Sequence, residues 1–179
     1  EMGEEYTKNF KLEVKVPTVA FPRIPFHEAK QIIQSNYKYI GEKDYDFDRK
    51  EEELICMYAK KHLNSEFVFI IDYPFAARPF YHMLDETTGL TKSFDLLYKG
   101  IEITTGAQRE HRIDFLKKQA EEKDLSLESI DFYLNFFRYG IPPHGGFGFG
   151  LSRFLMRLFE ADSIRDVTFL YRGPNRVNP

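Results

Sequence analysis

Residues 144–161 read HGGFGFGLSRFLMRLFEA, and this stretch carries most of the information about the fold. Glycines occupy alternate positions, at Gly146, Gly148 and Gly150. Residues two apart in a β-strand lie on the same face, so these glycines would leave that face bare while phenylalanines fill the other. Glycine in a strand often marks the close approach of a ligand or of another backbone. The pattern therefore predicts a strand that lies against either a flat ligand or a bulky neighbour.

The residues after these glycines are predicted to form a short amphipathic helix. Its apolar side carries Phe154, Leu155, Leu158 and Phe159. Arg153 lies in the first turn, where a guanidinium beside the bare strand would suit a phosphate group. Strand and helix together indicate a purine-and-phosphate site on a sheet, with plain core packing as the alternative.

Composition limits the class of protein. The chain has 179 residues, of which 42% are hydrophobic and 30% charged, as in an ordinary globular domain. A net charge of −3 argues against a basic nucleic-acid clamp. The single cysteine, Cys56, excludes an internal disulfide and fits a reducing compartment. The longest apolar run, residues 67–71, is far too short for a membrane span, so we expect a cytoplasmic protein without a membrane partner.

Helices and hairpins are mixed along the chain without regular strand–helix alternation, which predicts an α+β fold with an antiparallel sheet flanked by helices. The predicted helices cover about 27–36, 48–63, 110–123, 126–139 and 151–159. The predicted strands cover about 12–16, 67–73, 80–84, 93–98, 101–105, 145–150 and 167–171.

Two acids flank a predicted hairpin turn at residues 99–100. With a two-residue loop, Asp95 opposes Thr104 and shares a face with Glu102. Two carboxylates on one face suit Mg²⁺, which takes one or two carboxylates together with substrate phosphates. The alternative is a pair of exposed strand acids with lysine partners, and a loop one residue longer would put them on opposite faces.

The stretch TTGAQREH, residues 104–111, follows the second acid. Gly106 is expected to end the strand, and Arg109 to open the next helix. An arginine there could hold a substrate carboxylate with two parallel hydrogen bonds. The alternative is a surface ion pair with Glu110 or Asp114, which would contribute little.

Several stretches together resemble the C-terminal catalytic half of class II aspartyl-tRNA synthetases, across most of residues 26–179. They are PFAARPFYHM (74–83), FDLLYKGIEITTGAQREH (94–111), YGIPPHGGFGFGLSRF (139–154) and IRDVTFLYRGPNRVNP (164–179). The resemblance implies the class II catalytic fold, here in part, with the family's motif three at about residues 145–160. It also implies a ligase that activates aspartate with ATP and Mg²⁺ and transfers it to tRNA.

The same resemblance assigns roles to individual residues. The implied Mg²⁺ ligands are Asp95, Glu102 and Thr105. The implied ATP-binding residues are Glu102, Gly150, Leu151, Ser152 and Arg153, of which Glu102 and Arg153 also count as catalytic. The implied aspartate-binding residues are Thr105, Arg109, Gly146 and Gly148.

One position departs from the resemblance, because Ser152 stands where the family usually has glutamate. The family's anticodon-binding domain, its motif one and its motif two have no counterpart in residues 1–179, so we expect this chain alone to be inactive. For the parent protein the resemblance implies a homodimer and tRNA(Asp), with tRNA(Asn) left open; the oligomeric state of this chain is also open. The alternatives are an asparaginyl-tRNA synthetase, a tRNA-independent paralogue that makes a product such as asparagine, and a non-catalytic nucleotide-binding module.

Overall fold

The computed structural model describes Lys8, residues 16–18 and residues 20–178. One five-stranded sheet runs in the order β1–β5, with strands Arg23–Pro25, Phe67–Ile71, Ser93–Tyr98, Ile101–Arg109 and His144–Phe149. The helices α1–α5 are Phe26–Tyr37, Arg49–His62, Ile113–Glu121, Asp131–Phe137 and Leu151–Leu158. Strand β1 is parallel to β2, and every other neighbouring pair is antiparallel. The α+β class is confirmed, but the sheet is mixed rather than purely antiparallel.

Helix α2 begins at Arg49, directly after the capping residue Asp48. The Asp48 carboxylate accepts a hydrogen bond from the Glu51 amide at 2.9 Å, and the Asp48 amide donates one to the Glu51 carboxylate at 3.1 Å. This reciprocal pair satisfies two of the amides that a helix start leaves without partners. Glu51 is buried and also pairs with Lys30 of α1 at 2.8 Å, so the cap of one helix ties the two helices together.

The main core lies between helices α1 and α2 and the face of strands β1–β3 that they cover. Its members pack without solvent contact because apolar positions of both helices and alternate positions of the strands meet there. Among the fully buried side chains are Phe26, Ile33, Ile55, Val68, Ile70, Tyr73 and Leu97. A smaller cluster joins α3 and α4 through Leu116, Leu134 and Phe137.

The hairpin between β3 and β4 turns at the two predicted residues. Lys99 and Gly100 have φ angles of 45° and 84°, as a two-residue hairpin turn of type I′ requires. Leu97 lies opposite Glu102 as expected, but a bulge next to this pair places Asp95 opposite Thr105 instead of Thr104. An extra residue shifts the alternation of faces. Asp95, Glu102 and Thr105 therefore share one face.

Several boundaries differ from the sequence predictions. Strand β4 continues through Gly106 to Arg109, because pairing with β5 extends along that whole segment. Arg109 consequently lies at the end of a strand and does not open a helix. The next helix begins only at Ile113, and α4 begins at Asp131 rather than at about residue 126.

Three predicted strands have other outcomes. In the 80–84 segment, only His82 and Leu84 form isolated bridges, to Arg109 and Thr91. Residues 164–167 form a short 3-10 helix that is capped by Ser163, and no strand follows at 167–171. The predicted strand at 12–16 lies outside the described residues except for its last position. No helix in the described part of the chain is long and apolar enough to cross a bilayer.

Candidate active site

The glycines of β5 form a floor of bare backbone on one face of the sheet. Gly148 lies opposite Thr105, and Gly146 lies opposite Ala107. A Cβ atom built on Gly148 would meet no atom within 4 Å, and one on Gly146 would come only within 3.8 Å of an Arg109 nitrogen. No neighbouring element packs on these positions, so the glycines leave room for a ligand.

The two predicted acids lie beside this floor, on the same face. Asp95 is buried, and its Oδ2 atom is 2.6 Å from Nη2 of Arg78. Its Oδ1 atom is also buried but has no hydrogen-bond partner within the described residues. Burial, reinforced by the charge of Asp95, raises the pKa of Glu102. The two carboxylates lie on one face of the sheet, and a cation bound between them would relieve their mutual repulsion.

Arg153 reaches back from α5 to the second acid. Its Nη1 atom donates to the Glu102 carbonyl oxygen at 3.1 Å and lies 3.3 Å from the Glu102 carboxylate. Gly150 caps α5, and its amide donates to Ile103 at 2.7 Å, which fixes the helix start against β4. Leu151, which is exposed, and Ser152 follow in the first turn. The predicted phosphate-binding segment and the predicted metal ligands are thus adjacent.

Arg109 lies on the same face at the far end of the floor. Its guanidinium lies over the ring of Tyr81, 4.9 Å from the centroid, and its Nη1 atom is buried without a hydrogen-bond partner. Among the described residues no carboxylate lies within ion-pair distance of it, and Glu110 instead pairs with Arg112 at 2.9 Å. The alternative of a surface ion pair is therefore wrong, and Arg109 is available to an anionic ligand.

Three residues near the floor were not singled out from the sequence. Arg78 contacts both Asp95 and Thr105. Glu52 of α2 accepts a hydrogen bond from the Glu102 amide at 3.3 Å. His82 is buried at the bridge to Arg109. Arg78 could have been found from the sequence, because it is a charged residue within the aromatic and proline-rich stretch 74–83. Glu52 could not, because nothing in the sequence distinguishes it from the neighbouring acids of its helix turn.

Burial shifts the pKa values of Glu52 and His82. It is the main reason that the pKa of Glu52 rises to about 7, and the charges of Glu102 and Asp95 add to the rise. Burial, together with the cations Arg109 and Arg78, lowers the pKa of His82 to about 4, so its ring is neutral at pH 7. Perturbed pKa values of this kind cluster at functional sites.

The face thus combines a side-chain-free floor, a cation at each end and two interacting carboxylates. Such a surface can hold a flat base on the backbone, a phosphate at Arg153 and a carboxylate at Arg109. These features are typical of the class of domains that bind a nucleotide together with an anionic second ligand.

Comparison with known proteins agrees with this class. Residues 1–172 match the family model of tRNA synthetases class II (D, K and N), and the chain belongs to this family.

Curated relatives are similar over the whole chain. An aspartate–tRNA(Asp/Asn) ligase of Aeropyrum pernix is 43% identical across 100% of this chain and 41% of its own length. An aspartate–tRNA(Asp) ligase of Pyrococcus abyssi is 42% identical, again across 100% of this chain and 41% of the relative. The chain therefore spans about two-fifths of the length of these relatives.

Solved structures share the fold. The aspartyl-tRNA synthetase of Entamoeba histolytica superposes with a TM-score of 0.88 and 34% identity, over 98% of this chain and 36% of that one. An asparaginyl-tRNA synthetase of Pyrococcus horikoshii gives a TM-score of 0.83 at 28% identity, over 98% of this chain and 43% of that one. The five-stranded sheet and its helices are thus the class II catalytic fold.

Proposed function

We propose that residues 1–179 form the C-terminal part of the catalytic domain of an aspartate–tRNA ligase, with motif three at about residues 145–160. The observation that carries the proposal is the common face on which Asp95, Glu102 and Arg109 surround the glycine floor. The relatives named as aspartate–tRNA ligases, at 42–43% identity over the full chain, support it.

The reaction explains why these groups are together. An oxygen of the aspartate α-carboxylate attacks the α-phosphorus of ATP, and the bond to the β-phosphate breaks, which gives aspartyl-adenylate and pyrophosphate. The adenylate is then attacked by a tRNA hydroxyl, and AMP leaves. Two anions must approach each other in line, so positioning and neutralisation supply most of the catalysis. In this proposal Arg153 holds a phosphate of ATP, while Gly150, Leu151 and Ser152 place that arginine beside Glu102.

The residues present fit the Mg²⁺ ion that this chemistry implies. The donor set of Asp95, Glu102 and Thr105 consists of hard oxygens, and the Oδ1 atom of Asp95 is buried without a partner within the described residues. In the described part of the chain, no cluster of three or more His, Cys, Asp or Glu side chains is suited to a metal, so substrate phosphates would complete the coordination. When bound, Mg²⁺ would neutralise charge on the triphosphate.

Arg109 favours aspartate over asparagine as the substrate. A guanidinium offers donors only, and a carboxylate accepts two of them in parallel, whereas a carboxamide presents one oxygen beside a donating NH₂ group. Gly146 leaves space next to this guanidinium, and the pocket continues along Gly148 to Thr105. We therefore assign these four residues to aspartate binding.

The remaining partners follow from the proposed activity. The substrates of the full-length protein are ATP, L-aspartate and tRNA(Asp), and the protein is a cytoplasmic homodimer. Both tRNA specificities occur in the names of the relatives, so charging of tRNA(Asn) as well as tRNA(Asp) is the assay that separates them. Residues 1–179 alone are expected to give no useful rate of pyrophosphate exchange.

The test is amino-acid-dependent exchange of pyrophosphate into ATP by the full-length protein. We expect exchange with aspartate and little with asparagine; the reverse preference would identify an asparaginyl enzyme. Exchange without subsequent charging of any tRNA would identify a tRNA-independent paralogue. Absence of exchange, with ATP binding that is unaffected by Arg153→Ala, would identify a non-catalytic module.

Replacement of Arg109 tests substrate recognition directly. Arg109→Ala is expected to lower kcat/KM for aspartate by about 30-fold or more, because loss of one partner of a buried charge pair costs roughly 2–5 kcal/mol. Arg138→Ala provides the control, because that arginine is exposed and pairs with Asp131 on the surface of α4. Equal kinetics for the two variants would contradict the proposed role of Arg109.

A further inference from the structure

Arg78 lies inside the site although it belongs to none of the site's strands or helices. It follows a 3-10 turn, Phe75–Ala77, in the connection between β2 and β3. Its side chain is only 10% exposed, and its guanidinium carbon lies over the ring of Tyr73, 3.7 Å from the centroid. Tyr73 is itself a fully buried member of the main core. The arginine is therefore packed against the main core.

The guanidinium contacts two of the three proposed Mg²⁺ ligands at once. Its Nη2 atom donates to Oδ2 of Asp95 at 2.6 Å, and its Nη1 atom donates to the Thr105 hydroxyl at 3.2 Å. Asp95 lies on β3 and Thr105 lies opposite it on β4. One planar group thus bridges neighbouring strands at the edge of the glycine floor, and its fixed geometry sets the distance between two side chains.

These contacts determine which atoms remain available to a ligand. With Oδ2 of Asp95 engaged, the unpartnered Oδ1 atom is the one left to bind a cation. With the Thr105 oxygen accepting from Arg78, its own proton is free to be donated, and a substrate carboxylate is an acceptor for it. Asp95 and Thr105 are therefore oriented before any substrate binds.

We propose that Arg78 is a positioning residue of this site, which orients Asp95 toward the metal ion and Thr105 toward the amino-acid substrate. The inference rests on the proposed function, because it assigns Arg78 to the ligands of that reaction. Arg78 acts through these two residues rather than on the reacting atoms. Groups that orient metal ligands in this way typically affect metal affinity by about 10- to 100-fold.

A simple counter-ion for Asp95 would have different requirements. Any cation, including lysine, would compensate a single buried carboxylate. A planar guanidinium, whose donors have a fixed geometry, is needed only if two acceptors must be held at once. Lysine cannot reproduce this forked geometry, because its compact ammonium group lies on a flexible stem. Arg78→Lys therefore separates the two roles, because it keeps the charge and removes the fork.

The experiment uses Mn²⁺ as a probe in place of Mg²⁺. Binding of Mn²⁺ to the full-length protein in the presence of ATP is measured by electron paramagnetic resonance, together with KM for aspartate, kcat and thermal stability. Arg78→Lys is expected to weaken Mn²⁺ binding by about 10-fold or more and to raise KM for aspartate. Arg78→Ala is expected to show the same defects and to recover Mn²⁺ binding when methylguanidinium, but not methylammonium, is added.

Arg112 offers a matched control within the same chain. It also grips a buried carboxylate with two hydrogen bonds, both of 2.9 Å, since its Nε and Nη2 atoms donate to Glu110. This pair lies before α3 and contacts none of the proposed ligands of ATP, metal or aspartate. Arg112→Lys is expected to lower stability while Mn²⁺ affinity and KM for aspartate stay at the wild-type values.

The outcomes distinguish a failure of the role proposed for Arg78 from a failure of the proposed function. If Arg78→Lys lowers only stability, as Arg112→Lys does, and leaves Mn²⁺ binding unchanged, Arg78 is a counter-ion and the inference is overturned. If Arg78→Ala regains Mn²⁺ binding equally with methylammonium, the fork is not required and the inference is also overturned. If wild-type protein shows no aspartate-dependent exchange, it is the proposed function that fails.

Discussion

The two ends of the sheet use aromatic residues and glycine in opposite ways. At the β1–β3 end, Phe26 is completely buried and contacts the rings of Phe47 and Tyr73 at centroid distances of 5.1 and 4.9 Å. At the β5 end, Phe147 is 69% exposed and the glycine floor on the other face is open. The first region supplies stability, and the second is the open surface that we propose binds the substrates.

The proposed ligands lie on the boundary between these regions. Asp95 is on β3, next to core positions such as Ile70, its partner on β2. Thr105 is on β4, opposite the open floor at Gly148. A binding site needs rigid side chains and an accessible surface, and only the boundary between a packed and an open region offers both. Substitutions at the packed end are therefore expected to change stability, and substitutions at the open end to change ligand binding.

The largest expected difference comes from removing a phenylalanine at each end. Phe26→Ala should lower the free energy of unfolding by about 3–5 kcal/mol, because a large side chain is lost from a closed core. Phe147→Ala should change it by no more than about 0.5 kcal/mol, because the ring is largely solvated already. Urea unfolding of both variants of this chain measures the difference. Similar losses would mean that the β5 end is as tightly packed as the core.

The sequence was a good guide wherever one local pattern determines the structure. The turn at residues 99–100 and the alternation of glycines in β5 each have a physical meaning within a few residues. The predicted strand boundaries were wrong where pairing with a neighbouring strand determines how far a strand extends. Gly106 is a poor strand residue by itself, yet pairing of β4 with β5 keeps it in the strand.

The candidate site was predictable in part for the same reason. Asp95, Glu102 and Arg109 were identified from the hairpin and from the family resemblance, although the bulge changed the register and the strand end moved. Arg78 comes from a distant connection, and its contact with Asp95 spans residues far apart in the chain. No periodicity encodes such a contact. Tertiary packing alone brings this guanidinium to the acid.

A second, smaller contrast concerns two glycines on opposite faces of the sheet. A Cβ atom at Gly106 would lie 2.5 Å from the Phe94 ring and 2.7 Å from Cβ of Phe147. Gly106→Ala should therefore destabilise the chain by about 1–3 kcal/mol through overpacking. At Gly148 the added methyl group meets no atom within 4 Å, and Gly148→Ala should raise stability by about 0.4–1 kcal/mol by restricting the unfolded chain.

At Gly148, ligand affinity and stability should change in opposite directions. The methyl group of Gly148→Ala enters the space above the floor, so affinity of the full-length protein for aspartate and ATP should fall although stability rises. Calorimetric titration and urea unfolding of the same preparations compare the two effects. If Gly148→Ala binds both ligands as well as the wild type, the floor is not part of the pocket.

The smallest expected effect is a pH dependence that belongs to the boundary alone. Burial raises the pKa of Glu52 from an ordinary value of 4.5 to about 7 in the folded chain. The folded state therefore binds the proton more tightly than the unfolded state, and this contribution to stability is lost as pH rises from about 4.5 to 7.

Glu52→Gln keeps a hydrogen-bond acceptor for the Glu102 amide but removes the titration. The free energy of unfolding of this variant should equal that of the wild type at pH 4 and exceed it by about 0.5 kcal/mol at pH 8. The difference is small because solvent screens a partly exposed group. Urea unfolding at both pH values measures this difference, with Glu53→Gln as the control, because the Glu53 carboxylate pairs with Lys50 and contacts none of the acids at the boundary. An equal advantage at both pH values would show that Glu52 titrates normally and that the carboxylates at the boundary do not interact.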